Sequence, residues 1–317
     1  MTNYRSNGKL LITGEYVVLD GALALAVPTK FGQSLEVETV NEEIISWIAY
    51  DYLGKVWFEH QFQIKKIIGK IQTTEISTLK ESQEIEEVSS RLFQILQQAH
   101  ILNPEILTTG KGYKVETRLD FPNNWGLGSS STLLNNIAQW FKTDAFPLLQ
   151  KTFGGSGYDI AAAQNNQAFT YQLGQNTRSV LTAGFNPVFK EHLFFVHLNR
   201  KQNSRASITH YKQQPKEFLE ETVAKISALT SRFISCESLD EFNLLLEIHE
   251  TLISKLISTP KIKSELFPDF PGAIKSLGGW GGDFILATGG EPEKNYFRKK
   301  GFMTILAYSE MVKQDLL

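Results

Sequence analysis

A segment rich in glycine and serine has the composition of an anion-binding loop. Its sequence is Trp125-Gly126-Leu127-Gly128-Ser129-Ser130-Ser131-Thr132, and it lies between a predicted strand and a predicted helix. A glycine turn that opens a helix leaves backbone N–H groups unpaired at the positive end of the dipole, where phosphate binds readily. The hydroxyl groups would then cap the helix or reach a metal ion. A plain helix cap with glycines for a tight turn explains the same residues, so both interpretations stay open.

A carboxylate follows a second loop of small residues. Asp159 lies just after Gly154–Gly157 and near the start of a predicted helix. An acidic residue in the first helical turn is commonly a partner of the helix dipole, which is the structural explanation. The functional alternative is a proton acceptor for a substrate hydroxyl, held beside the loop. Taken alone, this segment favours the structural explanation.

Three further segments contain charged residues or several glycines and are therefore candidates for ligand binding. Lys9 and Glu15 flank a predicted first strand, where such residues are usually solvated surface charges. The segment Gly278–Gly282 has four glycines in five positions, which lets backbone approach a ligand closely. Arg200–Arg205 contains three cations in six residues and would hold a phosphate or a carboxylate, a solvated turn being the alternative.

Several common sites are excluded by pattern. The sequence contains no G-x-x-x-x-G-K-[ST] loop and no G-x-S-x-G nucleophile turn. Ser131 stands where the third glycine of a dinucleotide fingerprint would be, so a Rossmann site is not expected. The six histidines show no close metal-binding spacing and are interpreted as structural or surface residues.

Composition places the chain among globular proteins. It has 317 residues, and its 32 basic and 34 acidic side chains give a net charge of -2. This balance predicts neither nucleic acid nor a membrane as the main partner. The single cysteine, Cys236, excludes an internal disulfide scaffold, and the apolar runs are too short for a signal peptide or a span. We therefore expect a cytoplasmic protein.

Hydrophobic periodicity predicts an α+β chain of strands first and mixed helices and strands later. A helix is predicted over 82–99, with apolar residues at helical spacing, and others over 132–141, 217–233 and 239–258. Strands are predicted at 33–40, 44–52, 56–60, 61–67, 113–121, 285–287 and 303–307, with two more around a turn at Asp20-Gly21.

The order of these segments resembles the GHMP kinase superfamily, named for galactokinase, homoserine kinase, mevalonate kinase and phosphomevalonate kinase. Its first motif, P-G-K-x-x-L-x-G-E-[HY], is similar to Asn7–Tyr16, with Asn7 in place of proline. Its phosphate loop, G-L-G-S-S, matches Gly126–Ser130. Its third motif, G-A-G-G-G, is similar to Gly278–Asp283, with Trp280 where a small residue is usual and where it would crowd the loop. A small-residue loop with an aspartate, here Gly155–Asp159, normally lies between the last two.

The resemblance implies a two-domain GHMP kinase fold with the active site in the interdomain cleft. An N-terminal domain would span 1–185, and a ferredoxin-like C-terminal domain would span 186–317. ATP and Mg²⁺ are the implied cofactors. The resemblance gives the catalytic roles to Asp159, which would orient or deprotonate the acceptor, and to Lys9, which would lie near it and offset charge. The nucleotide would be bound by Gly126, Leu127, Gly128, Ser129, Ser130, Ser131, Gly279 and Gly281, with the Ser130 hydroxyl on the metal.

The substrate implied is a small molecule of the mevalonate pathway. Gly14–Leu19 resembles the G-E-Y-A-V stretch of phosphomevalonate kinases, and the cationic segment suits an acceptor that already bears a phosphate. We therefore expect phosphomevalonate, with mevalonate as the near alternative and a non-catalytic sensor of the same fold as the alternative of another class. A homodimer is compatible with the sequence. The substrate side chains or backbone would come from Glu15, Tyr16, Gly157, Lys201, Ser204 and Arg205.

The resemblance leaves one gap at the metal. Mevalonate kinases carry an Mg²⁺-binding glutamate upstream of the aspartate loop, whereas the matching stretch Phe146–Phe153 contains no acid. Asp144 is the nearest carboxylate, so no metal ligand beyond Ser130 is predicted.

Overall fold

The computed structural model describes residues 1–69, 83–175, 177–200 and 204–314. These residues form a mixed α+β structure, which confirms the fold class expected from the sequence. None of the helices in these ranges is both long and apolar enough to cross a membrane.

The strands follow one another along the chain with helices between them. In chain order they are β1 (Thr2–Thr13), β2 (Ala24–Val40), β3 (Ile44–Tyr50), β4 (Val56–Gln63), β5 (Gly112–Leu119), β6 (Phe169–Leu173), β7 (Arg178–Thr182), β8 (Leu193–His197), β9 (Ile274–Leu277), β10 (Phe284–Thr288) and β11 (Ile305–Ala307).

The helices range from one turn to five turns. They are α1 (Ile64–Ile68), α2 (Gln83–Leu102), α3 (Ser129–Trp140), α4 (Ala145–Thr152), α5 (Tyr158–Gln164), α6 (Ser204–Gln213), α7 (Leu219–Ser235), α8 (Leu239–Leu256), α9 (Ile262–Leu266), α10 (Glu291–Lys299) and α11 (Tyr308–Met311).

The chain divides into two compact units that alternate along the sequence. The first unit comprises Met1–Gly8, Phe31–Asn123 and Gly128–Gln164. The second unit comprises Lys9–Lys30, Asn124–Leu127 and Asn165–Leu317. These units differ from the predicted division into 1–185 and 186–317, which stays a prediction.

The first unit is a sheet covered by helices. Strand β3 pairs with β4 in antiparallel and with β5 in parallel orientation, and β5 pairs with the second half of β2 from Gln33 to Val40. Alternate residues of β3 are buried, as the period of a strand with one covered face requires. The apolar residues of α2 and α3 pack on that face, and they include Leu92, Ile95, Leu96, Leu134 and Ile137.

The second unit contains a sheet of ferredoxin-like topology. Its spatial order is β11-β8-β10-β9, and every neighbouring pair is antiparallel. Helices α6 to α9 separate the first two strands in sequence, and α10 separates the last two, so the strand order is 4-1-3-2. This is the split β-α-β arrangement expected for the C-terminal part. The first half of β2 pairs with β6, and β6 pairs with β7.

Two local predictions are wrong. A strand is predicted at 61–67, but β4 ends at Gln63 and the following residues form α1. The reason is that Ile64, Ile67 and Ile68 have the spacing of one helical face. The strand predicted to lead into the turn at Asp20-Gly21 ends at Thr13, and Val17–Asp20 form a short 3-10 helix, closed by Gly21 in a left-handed conformation. Its apolar residues are buried by contacts distant in sequence rather than by strand pairing.

Candidate functional site

Lys9 is fixed by two contacts with the start of the predicted phosphate loop. Its backbone N–H donates to the carbonyl of Leu127 over 3.0 Å, and its Nζ donates to the carbonyl of Gly126 over 2.8 Å. All three residues belong to the second unit. The lysine charge is therefore held beside the loop, as a group that offsets phosphate charge would have to be.

The third glycine-rich segment meets the same loop through Asp283. The Asp283 carboxylate packs so closely against Gly126, whose φ is 65°, that a Cβ there would overlap it. Asp283 itself is 5% exposed, and its backbone N–H donates to the carbonyl of Arg200 over 2.8 Å. Parts of all three glycine motifs thus meet within the second unit, around Lys9, Gly126 and Asp283.

Glu15 is part of a buried charge cluster, which consists of Glu15, His249, Glu250, Lys275 and Ser276. Both Glu15 and Lys275 are almost fully buried, and the Lys275 Nζ donates to the Glu15 Oε1. Lys275 also lies 3.7 Å from Glu250 Oε1, and the Ser276 hydroxyl donates to Glu250 Oε2 over 3.2 Å. Glu15 is therefore an interior ion-pair partner rather than the surface residue that its type suggests.

Burial sets the protonation of this cluster. It raises the pKa of Glu250 to about 7, because the Lys275 charge offsets only part of the desolvation and the Glu15 charge adds to it. The pKa of Glu15 is also raised by burial, against the lowering effect of its contact with Lys275. Burial and the Lys275 charge hold the pKa of His249 well below its usual value. His249 is thus neutral, in agreement with its Nε2 accepting the Gly14 N–H over 3.1 Å.

Tyr16 links the first motif to the third. Its φ of 65° is unusual for a residue with a side chain, and its hydroxyl accepts the Trp280 backbone N–H over 3.0 Å. The Tyr16 ring stacks on Tyr211 with centroids 5.4 Å apart. The Trp280 indole is buried and donates to the carbonyl of Pro260 over 2.8 Å, so it fills the interior of the second unit. Gly279 and Gly281 lie in the same turn, in which the Gly282 N–H donates to Gly279.

The remainder of the predicted phosphate loop opens α3 in the first unit. Gly128 caps the helix with a φ of 91°, and its carbonyl accepts from the Thr132 N–H and from the Ser131 hydroxyl over 3.0 and 2.8 Å. Ser131 is buried and serves its own helical turn, whereas Ser129 and Ser130 are accessible. The first N–H groups of a helix have no acceptor within it, so this end can hold an anion.

An apolar cavity of about 190 Å³ lies beside this helix start within the first unit. Ser129 and Ser130 form part of its wall. We call it the aromatic cavity, since its other lining residues include Trp47, Trp57, Phe58 and Phe153. Apolar pockets with a few polar groups are the usual form of small-molecule sites, and aromatic side chains stack on flat ring systems.

Asp159 also lies in the first unit, as the second residue of α5. It is half-buried, and its Oδ1 accepts the N–H of Ile160 over 3.1 Å. The preceding loop has positive φ at three glycines including Gly157, and Gln150 holds it by donating to the carbonyl of Gly155 over 3.1 Å. Since Lys9 belongs to the second unit, its predicted proximity to Asp159 stays a prediction.

The residues that would read a substrate phosphate are described only in part. Lys201 lies outside the described residues, and so do the side chains of Ser204 and Arg205, although α6 begins at Ser204. Their role in binding a substrate phosphate stays a prediction.

Metal binding is supported by few side chains. In the part of the chain that the structure describes, no group of three or more His, Cys, Asp or Glu residues is arranged to hold a metal ion. Asp144, the nearest acid to the aspartate loop in sequence, caps α4 by accepting the N–H of Phe146 over 2.9 Å. It thus has a structural role.

Sequence reasoning missed Lys275 and Glu250. Lys275 follows Ala273 and Ile274 and precedes Leu277, and a lysine within an apolar strand indicates a buried partner. Glu250 lies among buried residues of α8, on the same face as Leu246 and Ile253. Both signals were in the sequence, but neither identifies the partner.

The fold matches solved structures of several small-molecule kinases. The mevalonate kinase of Methanococcus jannaschii aligns with a TM-score of 0.69 and 15% identity, covering 99% of this chain and 98% of that one. The phosphomevalonate kinase of Streptococcus pneumoniae, in complex with phosphomevalonate and AMPPNP, aligns with a TM-score of 0.67 and 16% identity, covering 97% and 100%. The Lactococcus lactis galactokinase complexed with galactose aligns with a TM-score of 0.64 and 12% identity, covering 98% and 95%.

At the level of sequence, neither a protein-family model nor a curated protein matches the chain. The likeness is therefore one of structure, and it extends over nearly the full length of each kinase. The chain has the fold that is shared by mevalonate kinases, phosphomevalonate kinases and galactokinases, which is the GHMP kinase fold.

Proposed function

We propose that this protein is a GHMP-type kinase that transfers the γ-phosphoryl group of ATP to a small molecule. The observation that carries the proposal is the meeting of Lys9, Gly126 and Asp283 in the second unit, because it brings together parts of three separate glycine motifs. The structural likeness to several kinases, over nearly the whole chain, supports the same conclusion.

The aromatic cavity and the start of α3 suit a nucleotide. A purine base would stack on Trp57 or Phe153, and its phosphates would extend to the backbone N–H groups at Ser129 and Ser130. AMPPNP, an ATP analogue, is bound in the S. pneumoniae relative by fold. Gly279 and Gly281 would contribute backbone from the third motif.

Magnesium fits this site only through the nucleotide. The Ser130 hydroxyl is exposed at the start of α3, and Mg²⁺ is commonly held by substrate phosphates with few protein ligands. When bound, the ion would neutralise charge on the phosphates. No acidic cluster among the described residues adds to it.

The chemistry needs positioning and charge stabilisation more than covalent catalysis. Asp159 would orient the acceptor oxygen and take its proton. Lys9, tied to the Gly126 carbonyl, would offset the charge that develops on the transferred group. Glu15 would act indirectly, because its carboxylate is buried against Lys275.

We propose phosphomevalonate as the acceptor, with mevalonate as the alternative. The cationic segment Arg200–Arg205 would suit an acceptor that already bears a phosphate. The S. pneumoniae phosphomevalonate kinase that shares the fold binds phosphomevalonate. A mevalonate kinase shares the fold equally well, so the acceptor must be decided by experiment.

The test is ADP release from ATP and Mg²⁺ with phosphomevalonate, mevalonate, homoserine or galactose. We expect turnover with phosphomevalonate, and Asp159→Asn and Asp159→Ala should lower it by roughly 10²–10⁴-fold. Asp144→Ala is the matched control, because it removes an aspartate at another helix start of the same unit. Parent-like turnover in the Asp159 variants would contradict the catalytic role. Absence of turnover with every acceptor, despite AMPPNP binding, would favour a ligand-binding sensor.

A further inference from the structure

Two contacts join the segment Gly14–Tyr16 to the segment that enters the third glycine motif. The first is the buried ion pair between Glu15 and Lys275, on β9. The second is the hydrogen bond from the Trp280 N–H to the Tyr16 hydroxyl, 3.0 Å long. The two contacts lie on either side of Gly278, whose φ of 74° favours glycine.

Four of the five residues in the loop Gly278–Gly282 are glycines, and the one side chain, the Trp280 indole bonded to the Pro260 carbonyl, holds the middle of the loop. The glycines on either side must be ordered through the ends of the loop as well, because glycine loses more conformational freedom on folding than any other residue. One end is fixed where the Asp283 N–H donates to the carbonyl of Arg200. The other end is Lys275, whose Nζ is directed into the interior and also donates to the Ser276 carbonyl over 2.9 Å.

The buried charge cluster is costly as a means of stabilisation. Three of its buried atoms have no hydrogen-bond partner among the described residues, namely Glu15 Oε2, His249 Nδ1 and Glu250 Oε1. Burying an ion pair removes two charges from water, and well-packed apolar residues often replace such a pair without loss of stability. The other role open to such a pair is to place the segments that it joins.

We propose that Lys275 is a positioning residue, which clamps the loop Gly278–Gly282 to the segment Gly14–Tyr16 through its buried pair with Glu15. The clamp would set the distance between the first and third motifs of the second unit. Its kinetic consequence rests on the proposed function, in which the third motif holds the nucleotide. The clamp itself does not, because it is a property of the fold.

Amide hydrogen exchange measured by mass spectrometry tests the clamp without any substrate. In Lys275→Met, peptides covering 14–19 and 276–283 should exchange roughly tenfold faster, while peptides from β8 keep the parent rate. Lys263→Met is the matched control, because it removes a lysine of the same unit whose Nζ donates to the Gly272 carbonyl over 2.7 Å. It should leave both loops unchanged.

A charge-balanced variant separates local loosening from unfolding. Below pH 7, where Glu250 keeps its proton, Lys275→Met combined with Glu15→Gln leaves no unpaired charge in the cluster, so its thermal midpoint should stay close to that of the parent. Faster exchange in the two loops of this variant would support the clamp. Parent-like exchange in both variants, or faster exchange spread equally through β8, would overturn it.

Kinetics provide the second arm. A displaced glycine loop should raise the KM for ATP by roughly tenfold and change kcat less in Lys275→Met. Equal KM values in parent and variant would overturn the positioning role. If the parent transfers no phosphoryl group, the proposed function fails, but the exchange measurement still decides the clamp.

Discussion

Lys275 places one positive charge between two carboxyl groups in an interior that excludes water. Burial raises the pKa of both carboxyl groups, and that of Glu250 rises to about 7. Near neutral pH, the Glu250 carboxyl group is thus protonated in part of the molecules and ionised in the rest. The folded protein binds this proton more tightly than the unfolded chain, so the cluster couples stability to pH.

Glu250→Gln should remove the part of this coupling that comes from Glu250. The unfolded side chain releases its proton near pH 4.5 and the folded one near pH 7, so the parent loses stability as pH rises through this window. The stability of the parent relative to Glu250→Gln should fall by on the order of 2–3 kcal/mol across it. Urea unfolding at pH 5, 6 and 7 measures the change.

Ser276→Ala is the control for this experiment. It removes the hydroxyl that donates to Glu250 but keeps the titrating carboxyl group, so the dependence on pH should persist. If Glu250→Gln kept the slope of the parent, the titration would belong to another group.

The elements differ in how well local sequence predicts them. Helix α2 is confirmed because its apolar residues repeat with helical period and pack on one sheet. The 3-10 helix Val17–Asp20 could not be predicted from local sequence. Its β-branched residues favour a strand, and their burial depends on residues that are distant in the sequence. The pairing of Glu15 with Lys275 could not be predicted either, because nothing in the sequence around one residue identifies a partner 260 residues away.

Two glycine loops offer a matched test of close approach. Gly126 and Gly154 have almost the same positive φ, 65° and 67°, but only at Gly126 would an added Cβ meet other atoms, those of Asp283. Gly154→Ala should cost about 1–2 kcal/mol for the backbone strain alone. Gly126→Ala should cost about 1–3 kcal/mol more, because the Asp283 carboxylate must move.

The comparison is made with urea midpoints of the two variants and the parent. A larger shift for Gly126→Ala would support the contact between the phosphate loop and the third motif. Equal shifts of the urea midpoint would mean that the Asp283 side chain moves away from the added methyl group at no measurable cost in stability.

The whole molecule has the fold of several kinases, and the order of its sequence motifs indicates that fold. The glycine motifs are recognisable in part because positive φ favours glycine, as at Gly126, Gly128, Gly278 and Gly281. The acceptor is less predictable, since one fold serves phosphomevalonate and galactose in the matched structures. Function therefore depends on side chains that the fold does not specify.

Nucleotide binding should be visible in the stability of the whole chain. A ligand that binds only the folded state at 100 times its Kd adds about 2.7 kcal/mol, which should raise Tm by roughly 5 °C. Mg²⁺ with AMPPNP is the probe, and thermal melting is the measurement. Trp57→Ala, in the wall of the aromatic cavity, should reduce the shift.

An unchanged Tm at millimolar AMPPNP would contradict nucleotide binding by the parent. A full shift in Trp57→Ala would place the base elsewhere. Both results are independent of the identity of the acceptor.

The alternation of the two units has a consequence for biosynthesis. Glu15 leaves the ribosome early, whereas its partner Lys275 lies 260 residues later in the chain. At about 5–20 residues per second, the nascent segment waits roughly 13–50 s for its counter-ion. During that interval the carboxylate keeps its hydration, so the second unit must close after translation has nearly finished, whereas the first needs no residue beyond Gln164.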